Sequence, residues 1–251
     1  MNWLHARVWQ LAGWVAFAAL WELVYQSDLL NPIIFASPSL IVMAASQDGW
    51  QFLLAFRVTL MEVIIAIAIA WGLGVGFGLV VGLMPIAARA AAVVLSSLIA
   101  VPLVVLYPLF LAWLGLGPAS KIVFGVVSGI FPVALNTMIG VKNLDRGYAT
   151  MATAMGANRA QVVVQVLAPL AFPSILAGLR LGTALVVIGV VLAEMLASTD
   201  GIGFLISYHR ALFASGQVYL GILLALVIAA LANALLSVLE RLFVRRKGAS
   251  R

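Results

Sequence analysis

Long stretches without a charged residue constrain this chain more than any other feature of its sequence. Four runs contain no Asp, Glu, Lys or Arg: residues 63–88, 90–120, 122–141 and 211–239. A helix rises 1.5 Å per residue and the hydrocarbon core of a bilayer is about 30 Å thick, so about 20 apolar residues cross it once. Each run is therefore long enough for one crossing and too short for two.

The composition argues against a soluble domain. Hydrophobic residues make up 65% of the 251 positions and charged residues only 9%, against about 25% charged residues in soluble domains. Eight acidic and fourteen basic side chains are too few to cover the surface of a water-soluble globule of this length. The net charge of +6 does not indicate a nucleic-acid-binding face, because the basic residues are few and scattered. We expect an integral membrane protein without a nucleic-acid partner.

The uncharged runs and two further apolar segments predict an all-α protein with six transmembrane helices. One further segment starts at Val8 and includes Glu22, and the other follows Arg180 and includes Glu194. The apolar run at 160–179 is not counted as a span, because its two glutamines and two prolines suit a lipid-facing helix poorly. The predicted spans of this single transmembrane domain, residues 1–251, are 8–25, 59–83, 90–113, 122–141, 181–198 and 218–240.

The distribution of basic residues predicts the orientation. With six spans and a cytoplasmic N-terminus, eleven of the fourteen basic residues lie on the cytoplasmic side, as the positive-inside rule requires. Arg57, Lys121 and Arg210 are the three that lie outside or at the outer border. A seventh span would place the basic cluster at 245–247 outside. We therefore expect both termini in the cytoplasm.

The sequence shows no pattern typical of a catalytic or cofactor site. It contains no cysteine, and its two histidines, His5 and His209, are far apart, so no metal-ligand spacing is present. No lysine follows a glycine, which excludes a Walker A phosphate-binding loop. A nucleophile and a base could still meet in the folded chain. We expect no catalytic residue, no metal and no cofactor on this chain itself.

Glycines of the second predicted span recur four residues apart. They form the pairs Gly72/Gly76, Gly74/Gly78 and Gly78/Gly82. This spacing predicts close helix packing rather than a dinucleotide-binding fingerprint, because Leu79 occupies the place of the third glycine of that fingerprint. A direct role of these glycines in lining a path is the alternative.

Ionisable residues inside spans are candidates for function, because charge is expensive in lipid. Glu194 and Glu22 could pair with a base, bind a solute group or carry a proton. The alternative, which we favour for both, is that they lie at the outer interface in contact with water, and Glu62 is expected to reach water too. Polar residues of the middle spans are candidates for a translocation path, although helix packing explains them equally well: Asn136, Thr137, Thr183 and Glu194.

The predicted cytoplasmic loop at 142–180 is the most informative segment. Its pattern predicts a short amphipathic helix, a break at Gly156 and a second helix that ends at Pro169. Such an element suits docking to a soluble partner, although an ordinary interfacial helix would show the same pattern.

This segment resembles the EAA loop of bacterial ABC importer permeases, and most closely that of the nitrate/sulfonate/taurine branch. The likeness rests on residues 155–159, on Pro169 thirteen positions after Gly156, and on residues 173–180. Where the family has Glu-Ala-Ala, residues 150–152 read Thr-Met-Ala, so the acidic residue and any salt bridge it would make are absent. Further matching segments lie at 37–39, in the glycine-rich second span, and at 113–117, 193–195 and 201–203.

The resemblance implies a type I ABC importer permease fold with a cytoplasmic coupling helix between spans four and five. It implies that two permease subunits pair, most often as a homodimer, and that each docks on one of two cytoplasmic ATPase subunits. An extracytoplasmic solute-binding protein would deliver the solute, and ATP and Mg²⁺ would be bound by the ATPases. The residues expected to couple this chain to the ATPase are Thr150, Met151, Ala152, Met155, Gly156, Ala157, Asn158, Arg159 and Pro169.

The resulting prediction is the transmembrane subunit of an ATP-driven importer in the bacterial inner membrane. It is a transport subunit rather than an enzyme, and it forms the path for a small solute such as a sulfonate, nitrate, bicarbonate or an organic acid. An ATP-independent secondary transporter or channel is the alternative, although neither internal repeats nor mid-membrane charges are clear. A non-transporting membrane scaffold is a third hypothesis, and the sequence leaves the solute open.

Overall fold

The computed structural model describes residues 3–27 and 31–248, and all regular structure in these residues is helical. In chain order the helices are α1 (Trp3–Gln26), α2 (Pro38–Gly82), α3 (Pro85–Ala100), α4 (Tyr107–Leu114), α5 (Pro118–Lys142), α6 (Arg146–Ala154), α7 (Arg159–Gln161), α8 (Ala168–Leu196), α9 (Ile202–Ala211) and α10 (Ser215–Gly248). A 3₁₀ turn at Leu103–Leu106 precedes α4, and a π-helical segment at Val162–Leu167 joins α7 to α8.

Four helical segments of the described residues are long and apolar enough to cross a membrane. A fifth crossing results if α3 and the helical residues Leu103–Leu114 are taken together, although they are bent by 81°. The helix that contains the predicted first span, α1, is not one of these segments. The all-helical membrane architecture agrees with the predicted fold class, whereas the count of six spans stays a prediction. The four segments are Pro38–Gly82, Pro118–Lys142, Arg159–Leu196 and Ser215–Val238.

The predicted second span, 59–83, is the last part of a much longer helix. α2 runs without interruption through 45 residues, from Pro38 to Gly82. The Ser37 side chain accepts a hydrogen bond from the Leu40 amide, and Pro38 occupies the first turn, so both residues fix the helix start. No proline follows inside α2. At 1.5 Å per residue the helix measures about 68 Å, roughly twice the thickness of the hydrocarbon core.

The predicted third span, 90–113, is broken. α3 ends at Ala100, and Val101 adopts an extended conformation immediately before Pro102. Proline disfavours the helical conformation of the residue before it and supplies no amide hydrogen, which accounts for the 81° bend at this point. The bend leaves an apolar cavity in which Ser128 carries the one side-chain hydroxyl. Its lining residues are Ile99, Val101, Leu103, Val104, Phe124, Ser128, Phe131, Leu185, Ile188, Gly189 and Leu192.

The second helix of the 142–180 segment does not end at Pro169, as expected from the sequence. The chain stays helical from Arg159 to Leu196 and passes both Pro169 and Pro173. The π-helical segment explains how, because the Ala168 amide donates to the Val163 carbonyl, one residue further back than in an α-helix. The wider turn gives the Pro169 ring room where a regular α-helix would press it against the preceding turn. The predicted span at 181–198 is therefore the second half of α8 and not a separate helix.

Three helices, α2, α5 and α8, form the centre of the bundle, and glycines allow them to approach closely. A Cβ atom on Gly129 of α5 would lie 2.7 Å from the carbonyl oxygen of Gly182 on α8. On α2, Gly74, Gly78 and Gly82 contact α5 in the same way, which confirms the predicted close packing for these three glycines. Nothing lies within 4 Å of a Cβ on Gly72 or Gly76, so these two glycines do not take part.

Candidate functional site

The segment with the predicted coupling residues begins with the short helix α6. The Asp145 side chain accepts a hydrogen bond from the Gly147 amide at 2.8 Å and so caps the helix start. The helix ends at Ala154, and Gly156 then adopts φ +89°, a conformation that favours glycine. The Ala157 amide donates to the Ala152 carbonyl across this turn at 3.1 Å. The predicted sequence of amphipathic helix, glycine break and second helix start is therefore present.

A capping box starts the helix after the glycine turn. The Gln161 amide donates to Asn158 Oδ1 at 2.9 Å, and the Asn158 amide donates to Gln161 Oε1 at 2.8 Å. Two backbone amides that a helix start leaves without partners are thus satisfied by side chains. Asn158 is one of the predicted coupling residues, and within this chain it also stabilises the start of a helix.

Replacing Asn158 with alanine should loosen this helix start without unfolding the bundle. Loss of a polar cap costs about 1 kcal/mol, which corresponds to about a fivefold rise in the amide exchange rate of Gln161. Hydrogen–deuterium exchange of the purified chain in nanodiscs measures this rise. Thr153→Ala is the control, because it removes only a bond from the Thr153 hydroxyl to the Ala149 carbonyl inside α6. Equal exchange at residue 161 in both variants would contradict the capping role.

The surface of this segment is apolar where a partner could contact it. The Met151 side chain is 65% exposed and the Met155 side chain 83% exposed. Methionine is flexible and polarisable, so exposed methionines at a helix end suit docking into a cleft of another protein. Of the nine predicted coupling residues, Ala152, Ala157 and Pro169 are half-buried and the other six are exposed. Eight of the nine lie together between residues 150 and 159, and Pro169 lies further along, at the start of α8.

The predicted path residues do not line one common cleft in the chain. The Thr183 hydroxyl donates to the Leu179 carbonyl at 2.7 Å and accepts from the Trp71 indole at 3.1 Å. Thr137 is fully buried against Gly78, and its hydroxyl has no hydrogen-bond partner among the residues that the structure describes. Asn136 is half-buried and donates to the Pro132 carbonyl at 2.9 Å. These three residues lie between α2, α5 and α8, and Glu194 lies apart from them.

Glu194 is buried at the other end of the bundle from α6, where α8 leads into residues 197–201. The side chain is 1% exposed, so our expectation of a solvated interfacial residue is wrong. Thr59 of α2 donates its hydroxyl to the Glu194 carboxylate at 2.8 Å, and the Gly203 amide donates to Glu194 Oε2 at 2.8 Å. The Ile202 amide in turn donates to the Thr59 hydroxyl at 2.8 Å. Glu194 thus fastens the start of α9 to α2 and α8.

Glu62 and Lys121 lie beside Glu194 and are also buried. Our expectation that Glu62 reaches water is wrong, since it is 4% exposed, and Lys121 is fully buried. The Lys121 ammonium lies 2.7 Å from Glu62 Oε1 and 2.5 Å from Asp200 Oδ1. The Asp200 side chain is 52% exposed, so it contacts the solvent while it pairs with the buried Lys121 ammonium. We call Glu62, Lys121, Glu194 and Asp200 the buried charge cluster.

Sequence reasoning missed this cluster because its members are distant along the chain. Glu62, Lys121 and Glu194 each lie near the end of a predicted span, where a charge ordinarily reaches water. One feature of the sequence could have indicated the cluster. The six-span topology places Glu62, Lys121 and Glu194, which carry charges of both signs, at the same side of the bundle. Glu22 fits our expectation better, because it is half-buried and accepts hydrogen bonds from the Ser39 amide and hydroxyl at the start of α2.

Comparison with known proteins gives a consistent result. Residues 72–248 match the family described as binding-protein-dependent transport system inner membrane component. The taurine transport system permease protein TauC of Escherichia coli is 31% identical over 232 residues, which cover 88% of this chain and 83% of TauC. The riboflavin transport system permease protein RibX of Chloroflexus aurantiacus is 35% identical over 157 residues, 62% of this chain and 59% of RibX. The nitrate import permease protein NrtB of a Synechocystis strain is 28% identical over 169 residues, 65% of this chain and 62% of NrtB.

Proposed function

We propose, from the premise that this chain belongs to the family of binding-protein-dependent transport system inner membrane components, that it is the membrane subunit of an ATP-driven importer. The chain is a multi-pass membrane protein and a transport permease subunit, not an enzyme. In this proposal two copies pair to enclose the path, two cytoplasmic ATPase subunits bind ATP and Mg²⁺, and an extracytoplasmic binding protein delivers the solute. The family match over residues 72–248 is the observation that carries the proposal.

The exposed segment around Gly156 supports docking to an ATPase. α6 is short and held at both ends by hydrogen bonds, so it can move as a unit. A four-residue turn at 155–158 joins it to α7, and from Arg159 the chain stays helical through the π-helical segment into α8, which crosses the centre of the bundle. A displacement of α6 would therefore reach α8 through this short turn, which the hydrogen bond from the Ala157 amide to the Ala152 carbonyl spans. A bundle with two stable arrangements is what such coupling requires.

The orientation follows from the same assignment. We place residues 142–158 and both termini in the cytoplasm, which puts eleven of the fourteen basic residues on that side if six spans are present. The buried charge cluster, which includes Asp200, then lies at the extracytoplasmic end. The half-exposed Asp200 side chain is in keeping with a position at the membrane surface.

The solute is proposed to be small and anionic, such as a sulfonate, nitrate, bicarbonate or an organic acid. Two of the relatives above are named for taurine and nitrate transport. None of the described residues that line the apolar cavity at the α3 bend carries a charge, so these residues offer an anion no ionic partner. Selection of the solute would then rest mainly with the binding protein. We keep Asn136, Thr137, Thr183 and Glu194 as proposed path residues, and the buried ones would reach a path only if the helices of one subunit separate.

Introducing a charge at Met155 should uncouple the subunit from its ATPase. Met155→Asp places a carboxylate on an exposed apolar side chain, so the fold should be unaffected while docking into an apolar cleft becomes unfavourable. We expect at least a tenfold loss of ATPase co-purification and of ATP-dependent uptake in reconstituted vesicles. Gly156→Trp should act similarly, since it adds bulk and strain at φ +89°.

Leu116→Asp is the matched control for this experiment. Leu116 is also an exposed apolar residue, but it lies between α4 and α5 at the opposite end of the bundle from α6. ATPase co-purification should be the same for this variant as for the unmodified chain. Unchanged uptake and co-purification in Met155→Asp would refute the docking assignment. Uptake by the lone subunit in vesicles without ATP would favour a secondary transporter or channel instead.

A further inference from the structure

An apolar groove, which we call the α2–α10 groove, lies between these two helices at the surface of the bundle. Its floor consists of buried side chains, among them Val63, Ile67 and Ile228. Its rim includes the exposed side chains of Ile64 and Leu231. The groove has a volume of about 290 Å³, roughly twice that of a cavity that holds one benzene molecule. Its lining residues are Leu60, Val63, Ile64, Ile67, Ala68, Trp71, Ile228, Leu231, Ala232 and Leu235.

The α2–α10 groove lies in the membrane-spanning part of the chain. All of its lining residues fall within the predicted spans 59–83 and 218–240. The one polar side-chain atom among these described residues, the Trp71 indole nitrogen, already donates to the Thr183 hydroxyl at 3.1 Å. Lipid chains are the solvent at this depth, and an empty groove would lose dispersion contacts along its walls. An apolar chain is therefore the suitable occupant, since a polar one would find no side-chain partner in the described lining.

The length of the groove matches one leaflet of the bilayer. Along α2 its lining residues extend from Leu60 to Trp71, a distance of about 16 Å at 1.5 Å per residue. The hydrocarbon core is about 30 Å thick, so one leaflet measures about 15 Å. In the orientation proposed above, Leu60 lies at the outer end of the predicted span and Trp71 near its middle. The groove thus follows the course of one acyl chain in the outer leaflet.

An exposed basic residue lies at the outer end of the groove. Arg57 precedes Leu60 by one helical turn on α2. It lies on the same face of the helix as Ile64, Ala68 and Trp71, because spacings of seven, four and three residues return to one face. Arg57 has no ion-pair partner in the part of the chain that the structure describes. A guanidinium group at the level of the lipid head groups suits a phosphate, which it can bind through two parallel hydrogen bonds.

Two protein segments could compete with lipid for the groove. The first is α1, which meets α2 near its outer end, where Glu22 accepts from the Ser39 amide at 3.1 Å. None of the described residues of α1 lines the groove. The second is a further copy of the chain, which would have to bring both an apolar segment to the groove and an anionic group to Arg57. A single phospholipid supplies both.

We propose that the α2–α10 groove binds one phospholipid of the outer leaflet. One acyl chain lies along the groove with its end near Trp71, and the phosphate group pairs with Arg57. The bound chain fills the space between α2 and α10 and so supports their packing from the lipid side. The proposal goes beyond transport, and it uses the orientation of the proposed function but neither solute nor ATPase.

Native mass spectrometry of the purified full chain, released from nanodiscs of phosphatidylglycerol and phosphatidylcholine, tests the site. We expect each subunit to retain one phospholipid. Ala68→Phe should lose it, because Ala68 is an exposed lining residue and the added ring occupies the groove without entering the core. Ala230→Phe is the matched control, since Ala230 is an exposed residue of α10 that does not line the groove, and its lipid retention should be unchanged.

Two results of this experiment would overturn the proposal. Equal lipid retention in Ala68→Phe and Ala230→Phe would show that the lipid lies elsewhere on the surface. A dimer that retains no lipid and dissociates on Ala68→Phe would show that a second copy occupies the groove.

A separate pair of variants tests the phosphate contact while leaving the groove intact. Arg57→Gln should weaken phospholipid retention about fivefold, the contribution of one basic residue near a membrane surface. Arg210→Gln is the control, because Arg210 is also exposed at the extracytoplasmic end but lies on α9 and does not line the groove. Both arginines are exposed, so both variants should fold even if Ala68→Phe does not. Equal retention in Arg57→Gln and Arg210→Gln would overturn the assignment of a phospholipid.

Discussion

Replacing Gly78 with leucine is expected to prevent formation of a stable helix bundle. A Cβ atom at this position would lie 2.7 Å from the Ala134 carbonyl oxygen of α5 and 2.5 Å from the Thr137 Cβ. Because one obstructing atom belongs to the backbone, α2 and α5 would have to move apart along their contact. We expect a loss of about 3 kcal/mol or more in the free energy of unfolding. Unfolding by SDS in mixed micelles, followed by tryptophan fluorescence, measures this loss.

Gly76→Leu is the matched control for this variant. Gly76 lies two residues earlier, on the opposite face of α2, and nothing lies within 4 Å of a Cβ placed there. The same substitution should therefore change the free energy of unfolding of the single subunit by less than about 1 kcal/mol, since leucine is also the better helix former. Similar losses for the two variants would show that the contact between α2 and α5 is not as close as described.

Replacing Lys121 with methionine is expected to cause the second large loss of stability. Lys121 is the one cation of the buried charge cluster, and its ammonium lies within 2.7 Å of two carboxyl groups. Methionine fills a similar volume but leaves at least one buried carboxylate without a cation. Removing one partner of a buried ion pair costs about 3–5 kcal/mol. SDS unfolding of the purified chain measures this loss.

A second substitution in the same background separates charge from packing. Adding Glu62→Gln to Lys121→Met removes the buried carboxylate that has lost its cation, since Glu62 Oε1 lies 2.7 Å from the Lys121 ammonium in the unmodified chain. The double variant should recover much of the lost free energy of unfolding. Arg180→Gln is the control for loss of a cation, because its pair with Glu240 is solvent-accessible and should be worth less than about 1 kcal/mol. A double variant no more stable than Lys121→Met alone would indicate that the loss comes from packing.

The glycine series shows how far local pattern can predict a contact. Spacing of four residues predicted close packing on α2, and Gly74, Gly78 and Gly82 do contact α5. The same spacing occurs in Gly72 and Gly76, which contact nothing in the described part of the chain. A four-residue repeat places residues on one face of a helix, but it does not say which face another helix covers. That choice depends on where α5 lies.

The segment around Gly156 could be predicted in more detail than any other. Its elements are local: an aspartate cap, a glycine with positive φ, and an Asn-to-Gln capping box within four residues. One prediction for this segment was wrong: we expected a helix to end at Pro169, but the helix continues past it. A π-helical turn before the proline lets the helix continue, and such a turn depends on how the whole of α8 packs.

The sequence by itself determined what depends on composition and short spacing: an all-helical membrane protein, the glycine turn at residue 156 between two helices, and the family. Only the tertiary structure decided which polar residues meet. Glu62, Lys121 and Glu194 lie on three helices, up to 132 positions apart in the chain, and each alone resembles an interfacial charge. Burial is a property of the assembled bundle, because the neighbours that exclude water from a side chain come from other helices. The buried charge cluster therefore became visible only when α2, α5 and α8 were packed together.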